Sequence, residues 1–497
     1  MCNLAFLVAK SGITTCTVNN IHLHSKYDPE KEGVRFAESI QADFIPKVIV
    51  IIEPGLSYCL AQLKELFPMV KLVALRFTDV FNDYNNGWDL VVNYKNIDSL
   101  LYTLGEDIIL STLFVNWPPS VKAFPKETEF TWNIIKKLVK NATDILATRS
   151  FFGIRWIKNS IKFCLNCNNN KTIKKGSGAV LIAASGPSLE SSLDNIKKYR
   201  SSFFLIALSS AYSVLKNAQI EPDLCISTDG GYWAKKHLEK CSSPLVLSAE
   251  SAIPTRLLKT SPIIPIRYGD GIESFLLDKC GFFTIPGKRN GTVSGTAAEL
   301  AFEITSGPIF ACGLDLSINP KGKQHSRPNR LEALNEIKDY RLKTLEQRHY
   351  PGQLSSPSLA IYENWFIKRD KNFGNRFFRL SHSSWKYSNK LGNISDITWQ
   401  DFCGIISKMS EKKLLDMPKI TCCNTLPDVS TRLNSIKKII NEISIIDQQW
   451  ISSLIPAEYL TYTRSIEKKS QLENIKVKLN EKIKIINDFL YDMEKSI

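Results

Sequence analysis

From Ala179 onward the chain repeats short, continuous apolar runs, and nothing else in the sequence restricts the fold as much. The runs are Ala179 to Ala183, Phe203 to Leu208, Leu224 to Ser227, Leu245 to Leu247, Ile263 to Ile266 and Ile309 to Cys312. Strands without polar alternation are buried on both faces, and helical spacing fills the intervals between them. The pattern predicts an α/β domain, residues 175–403, built on a mostly parallel sheet with helices on each side. At 497 residues the chain has room for about three domains.

Residues 1–150 read as a smaller α/β domain. Leu4 to Val8 and Ile21 to His24 alternate like the arms of a hairpin, with Ser11-Gly12 among the turn residues. Val48 to Ile52 then forms a strand closed by Pro54-Gly55, followed by a helix carrying Leu56, Leu60, Leu63 and Phe67 and a strand from Val70 to Leu75. This is the start of a nucleotide-type βαβ unit without its chemistry. Glu53-Pro54-Gly55-Leu56 has one glycine where close phosphate approach needs several, and Arg76-Phe77 stands where a ribose-binding acid would follow. After about residue 405 helical spacing takes over, in one stripe of Ile436, Ile439, Ile440 and Ile443 and another of Leu472, Ile475, Leu479, Ile486 and Leu490. We expect residues 404–497 to form a helical domain.

The net charge of +15 favours an anionic partner. Thirteen Lys and Arg face six Asp and Glu between Pro320 and Leu380, although Arg330 to Arg348 also carry the stripe of an ordinary helix. No aromatic RNA-binding motif or zinc-finger spacing accompanies these charges, so nucleic acid is not expected. Twelve Cys without a regular framework indicate a reducing compartment; Cys164-x-x-Cys167 lacks a second pair at metal spacing and reads as buried thiols. With no secretory leader and no apolar run of about 18 residues, we expect a cytoplasmic protein without stable membrane insertion.

Four segments could carry chemistry. Ser185-Gly186-Pro187-Ser188 joins an apolar strand to a helix, where free amides and the helix dipole attract an anion; Gly186 permits close approach and Ser188 can cap. A tight turn with an ordinary cap is the alternative. Asp229, before Gly230-Gly231 at a strand end, is suited to receive a hydroxyl, hold a cation or act as a base. Gly291-Thr292 opens a small-residue helix that could hold a second polar part of the same ligand, or be capping alone. Asp315 follows the Ile309 strand, and His325 in the next polar loop is a candidate for proton transfer or for stabilising a leaving phosphate.

Taken together, Ala184-Ser185-Gly186-Pro187-Ser188-Leu189, Pro222-Asp223…Asp229, Gly291-Thr292-Val293 and Gly313-Leu314-Asp315-Leu316 with His325 resemble the motility-associated factor (Maf) flagellin glycosyltransferases and their MptE-like central domain. Leu23-His24-Ser25-Lys26-Tyr27-Asp28-Pro29…Glu32 and Gly55-Leu56…Tyr58 look like the first domain of the same family. The resemblance covers roughly residues 20–400 and departs at Ala184, where the family pattern has glycine. It implies a Rossmann-like central domain akin to bacterial sialyltransferases. The donor would be a CMP-activated nonulosonic acid of pseudaminic or legionaminic type, and the acceptors Ser/Thr hydroxyls of flagellin. Ser185, Gly186, Pro187 and Ser188 would cradle the donor, Asp229, Gly291 and Thr292 would line the crevice, and Asp315 and His325 would sit at the reacting centre. No tightly bound cofactor or protein metal is implied, and Mg²⁺ is left open. Two other readings remain: an MptE-like, ATP-dependent pterin pyrophosphokinase with Mg²⁺ on Asp229 or Asp315, and a non-catalytic flagellin-binding protein.

Overall fold

The computed structural model describes residues 4–269, 271–317, 324–342, 344, 357–382, 387, 389–423, 425–443 and 448–495. The basic residues at 321 and 323 and the end of the helix read to Arg348 lie outside these. The chain divides into two compact units, Met1–Gly153 with Ile445–Lys484, and Ile154–Ser444 with Ile485–Ile497. The tail from 404, expected as a domain of its own, is thus shared between the two.

In the first unit β1 (Leu4–Val8), β2 (Thr14–Val18) and β3 (Ile21–His22) form an antiparallel sheet. β1 pairs with Thr14–Val18 rather than with the Ile21 strand, because the intervening β-branched run is itself a strand. The parallel sheet has β4 (Val48–Ile52), β5 (Lys71–Arg76), β6 (Leu90–Asn93) and β7 (Thr112–Asn116) in the order β6-β5-β4-β7. Arg76 closes the end of this βαβ unit. Its buried guanidinium donates to Glu53 (3.0 Å), the Gly55 carbonyl (2.7 Å), the Ser57 hydroxyl (2.9 Å) and Asn85 (2.8 Å), filling the space beyond the strand ends with protein. A buried charge is tolerable only when paired and fully hydrogen-bonded in this way.

The second unit contains β8 (Lys171–Lys174), β9 (Val180–Ala183), β10 (Phe204–Leu208), β11 (Leu224–Ser227), β12 (Leu245–Ser248), β13 (Ile263–Arg267), β14 (Ile285–Pro286), β15 (Ile309–Cys312), β16 (Phe377–Ser381), β17 (Ser395–Thr398) and β18 (Lys419–Cys422). Nine of them form one parallel sheet in the order β14-β13-β12-β11-β10-β9-β15-β16-β17. Every residue of β9, β10, β11, β12 and β15 is buried, as unalternated apolar strands require. From β9 the chain winds outward through β10 to β14, then returns to the other side of β9 with β15. The direction of winding therefore reverses between β9 and β15, and the carboxyl ends of strands at such a reversal open onto a ligand crevice.

β16, β17 and β18 were not legible as strands. In β16 the central Arg379 is completely buried, neutralised by Asp396 of β17 at 2.6 and 2.9 Å, and so breaks the apolar pattern. β18 pairs antiparallel with β8 inside the region read as purely helical. Cys164 and Cys167 are both buried, and their carbonyl oxygens accept hydrogen bonds from Arg432, so the Cys-x-x-Cys pair lies in the core. Among the described residues no helix is long and apolar enough to cross a membrane.

Candidate active site

The loop after β9 and the loop after β15 are locked together at the reversal point. The Gly186 amide donates to the Gly313 carbonyl at 2.8 Å. The Ser188 amide donates to Asp315 Oδ2 at 2.8 Å, and the Ser188 hydroxyl donates to Oδ1 of the same carboxylate. Leu189 and Glu190 amides turn back onto the carbonyls of Gly186 (3.0 Å) and Pro187 (3.4 Å). The amides of Gly186 and Ser188 in the expected anion cradle, and those of Leu189 and Glu190 after it, thus each have an acceptor within the fold. Ser188 does not cap the following helix, Leu189–Lys198, with its side chain. The close approach that Gly186 permits is to Gly313 and Asp315: a Cβ there would stand 2.5 Å from the Gly313 oxygen and 2.7 Å from Asp315 Cγ. Ala184 is buried, so its methyl does not narrow an open loop.

Asp315, expected beside the reacting centre, is only 1% exposed and lies beneath the loop. Burial raises its carboxyl above the usual range, opposed by the Ser188 bonds and by the charge of Arg379. Tyr387 closes the same corner, its hydroxyl 3.4 Å from Ser188 Oγ and donating to the Leu380 carbonyl at 2.7 Å. In this geometry both oxygens of Asp315 are taken up by Ser188.

The polar groups that do gather at the strand ends are side chains. The Ser210 hydroxyl, at the start of the helix after β10, donates to the Ser185 hydroxyl at 2.8 Å. The Ser326 amide donates to the Ser185 carbonyl at 2.7 Å, and Asn329 Nδ2 donates to the Ser210 carbonyl at 3.3 Å. These bonds bring the His325 segment onto the β9 loop. His325 Nδ1 lies 3.0 Å from Glu332 Oε1, which also accepts the backbone amides of Gln324 and His325. Burial alone would raise the Glu332 carboxyl, but the His325 contact and the two amides together hold it below its ordinary value. An ionised carboxylate on Nδ1 fixes the imidazole and leaves Nε2 to exchange a proton with a substrate, the geometry of an oriented general base.

His237, on the helix after β11, adjoins this pair. Burial, reinforced by the charges of His325 and Arg330 and opposed by Asp229, holds it below the usual imidazole range. Asp229 is exposed, its Oδ1 accepting the Gly231 amide at 2.8 Å, and Arg330 reaches Glu239 at 2.5 Å. The structure thus gathers Ser185, Asp229 and His325 around one corner. Gly291 and Thr292 open the helix Val293–Ile304, with the Thr292 hydroxyl 2.8 Å from that of Ser294, and no hydrogen bond among the described residues joins them to the corner.

Further along the strand ends, Glu250 and Arg289 form a two-point ion pair at 2.6 and 2.9 Å, with the guanidinium over the Tyr268 ring. Behind it Glu273 is buried; Oε1 accepts the Ser274 hydroxyl (2.6 Å) and the Tyr268 amide (3.0 Å), while Oε2 has no hydrogen-bond partner among the described residues. Burial pushes its carboxyl up to about 7, with the charge of Glu250 adding and Ser274, Tyr268 and Arg289 opposing. A carboxyl raised on folding stabilises the native state while protonated, so its contribution is complete below the ordinary carboxylate range and is lost as pH rises to about 7. Glu273→Gln should remove that loss. Relative to wild type, urea midpoints should show the variant gaining about 2–3 kcal/mol between pH 4 and pH 8; a difference independent of pH rules out the buried titration.

The second unit is an open, doubly wound α/β domain whose strand ends at the reversal carry a histidine paired with a carboxylate. Residues 155–321 match the family described as 6-hydroxymethylpterin diphosphokinase MptE-like. A protein of Treponema pallidum (strain Nichols), described as uncharacterized, is 29% identical over 305 residues, 61% of this chain. The match spans just under two thirds, 66%, of that relative. The solved structure of a MAf glycosyltransferase from Magnetospirillum magneticum AMB-1 aligns with 99% of this chain and 90% of its own at 12% identity and a TM-score of 0.47, a likeness too distant to carry a functional argument.

Glu332, His237, Ser210 and Asn329 were missed in the sequence. Asn329 and Glu332 had a local signal: Asn329 Oδ1 accepts the Leu331 and Glu332 amides, and Asn-x-x-Glu ahead of a helix is the spacing of a capping box. His237 had none, since only the sheet order places it beside His325.

Proposed function

We propose that this chain transfers a nonulosonic acid, of pseudaminic or legionaminic type, from a CMP-activated donor to Ser/Thr hydroxyls of flagellin, and so supports flagellum assembly and motility. The observation that carries the reading is the His325–Glu332 pair hydrogen-bonded into the β9 loop at the sheet's reversal point. The motifs shared with the Maf family supply the donor and acceptor classes.

In this mechanism the acceptor oxygen bonds to the anomeric carbon as that carbon's bond to the donor phosphate breaks, and CMP leaves with the bonding pair. His325 Nε2 takes the hydroxyl proton, and Glu332 stabilises the imidazolium through Nδ1. Because the amides of Gly186 and Ser188 are engaged, the Ser185 hydroxyl, which accepts from Ser210 and keeps its own proton to donate, and the cation of Arg330, exchanging Glu239 for the anion, are assigned to the leaving phosphate. No protein-bound metal or resident cofactor is assigned, and Mg²⁺ could accompany the donor.

Intact mass of flagellin co-expressed with this protein and a nonulosonate pathway tests the proposal. Discrete added masses should appear and should vanish with His325→Ala; their absence with the wild-type chain rejects transfer. The family description favours one other reading, an ATP-dependent pterin diphosphokinase in which Mg²⁺ sits at exposed Asp229. Ligand binding separates them: CMP-sugar for the transferase, Mg-ATP for the kinase, and neither for a flagellin-binding protein without activity.

A further inference from the structure

At the opposite, amino-terminal edge of the large sheet lies a cavity of about 480 Å³ in front of β9, β15 and β16. Arg376, Lys408 and Lys413 line it together with Phe378, Ile405 and Ser177, and no carboxylate is among its lining residues. Arg376 is held rigidly. Nε and Nη2 donate to the Gly307 carbonyl at 3.3 and 2.9 Å, Nη2 also donates to the Thr305 carbonyl at 2.7 Å, and the guanidinium lies over the Phe302 ring.

These contacts orient the cation without neutralising it. Arg376 has no acidic partner among the described residues, and burial, the sole cause, lowers its basicity. A half-buried charge without a counter-charge is an unfavourable arrangement that an incoming anion relieves. Lys408 and Lys413 stand exposed at the rim, also without an ion pair among the described residues. The Asp416 carboxylate accepts the Ser177 hydroxyl at 2.9 Å, and its carbonyl accepts the amides of Ser177 and Gly178 at 2.8 Å.

We propose that this cavity binds a phosphate monoester of mononucleotide size, its phosphate on Arg376, Lys408 and Lys413 and its ring on Phe378 and Ile405. The volume falls within the ordinary range for small-ligand sites, about 300–1,000 Å³. Apolar residues beside three cations select a ring-bearing ester over a bare anion. The site is independent of the chemistry assigned to the opposite edge of the sheet.

Calorimetric titration of the full-length chain with AMP, CMP and inorganic phosphate, each at two salt concentrations, tests this. AMP should bind, more weakly at high salt, and Lys408→Gln with Lys413→Gln should weaken it by at least about tenfold, since each pairs an exposed cation with phosphate. CMP should lose this site equally while any binding at the strand-end crevice persists. The double variant replaces exposed side chains and should keep the wild-type melting temperature and flagellin transfer. Unchanged AMP affinity in the variant, or no AMP binding to wild type, overturns the site. Inorganic phosphate binding as tightly as AMP overturns the assignment of a ring-bearing ester.

Discussion

His325→Ala is expected to lower the rate of sugar transfer by about 100- to 10,000-fold, the range for removing a positioned general base, with donor affinity changed by less than about threefold. The split follows from the geometry. Nδ1 is committed to Glu332 at 3.0 Å, so in the proposed transfer Nε2 is the nitrogen assigned to the acceptor hydroxyl, and Ser185 and Arg330 are assigned to the donor. Glu332→Gln separates orientation from charge. Glutamine can still accept the amides of Gln324 and His325, but its amide cannot stabilise the imidazolium as a carboxylate does. It should lose about tenfold or more in kcat with KM for the donor preserved, following the usual effect of removing a partner that orients a functional histidine. Single-turnover transfer to flagellin, with donor binding measured separately, reads both quantities. Full activity in His325→Ala removes the histidine from the mechanism, and equal loss of donor binding makes its role structural.

The large sheet was legible because its strands are buried on both faces, and unbroken apolar runs such as Val180 to Ala183 have few other solutions. β16 escaped because Arg379 is neutralised by Asp396, a partner supplied only by the neighbouring strand. The same distinction governs the site. Small residues and a strand-to-helix junction at Ser185 to Ser188 are local features, and they mark the turn that follows β9. Where the amides point is a long-range fact, decided by Gly313 and Asp315 arriving on β15. Thus the loop that reads as an anion cradle is a clasp between two strands, and the polar surface of the crevice comes from its neighbours. His325 was visible as a rare histidine in a polar loop, whereas His237 acquired its surroundings only through strand order.

The clasp itself should be the most sensitive structural point of the domain. Asp315→Ala leaves the Ser188 amide and hydroxyl buried without their acceptor; at about 1–3 kcal/mol for each unsatisfied group, we expect a loss of about 3–5 kcal/mol. Gly186→Ala should cost a similar amount for a different reason, because its Cβ would sit 2.5 Å from the Gly313 carbonyl oxygen and 2.7 Å from Asp315 Cγ, with backbone as the obstacle. Gly313→Ala adds conformational strain to collision, since Gly313 has φ +66° and a Cβ there would press on the Ala184 carbonyl. The Gly186 and Asp315 variants share one contact, so their combination should fall short of the sum of the single losses. Urea unfolding of the three single variants and the double, followed by circular dichroism, measures this directly. Wild-type stability in Asp315→Ala refutes the clasp and returns Asp315 to candidacy as a residue that meets substrate, whereas a destabilised fold with donor binding retained at low temperature fixes its role as support for the Ser185 loop.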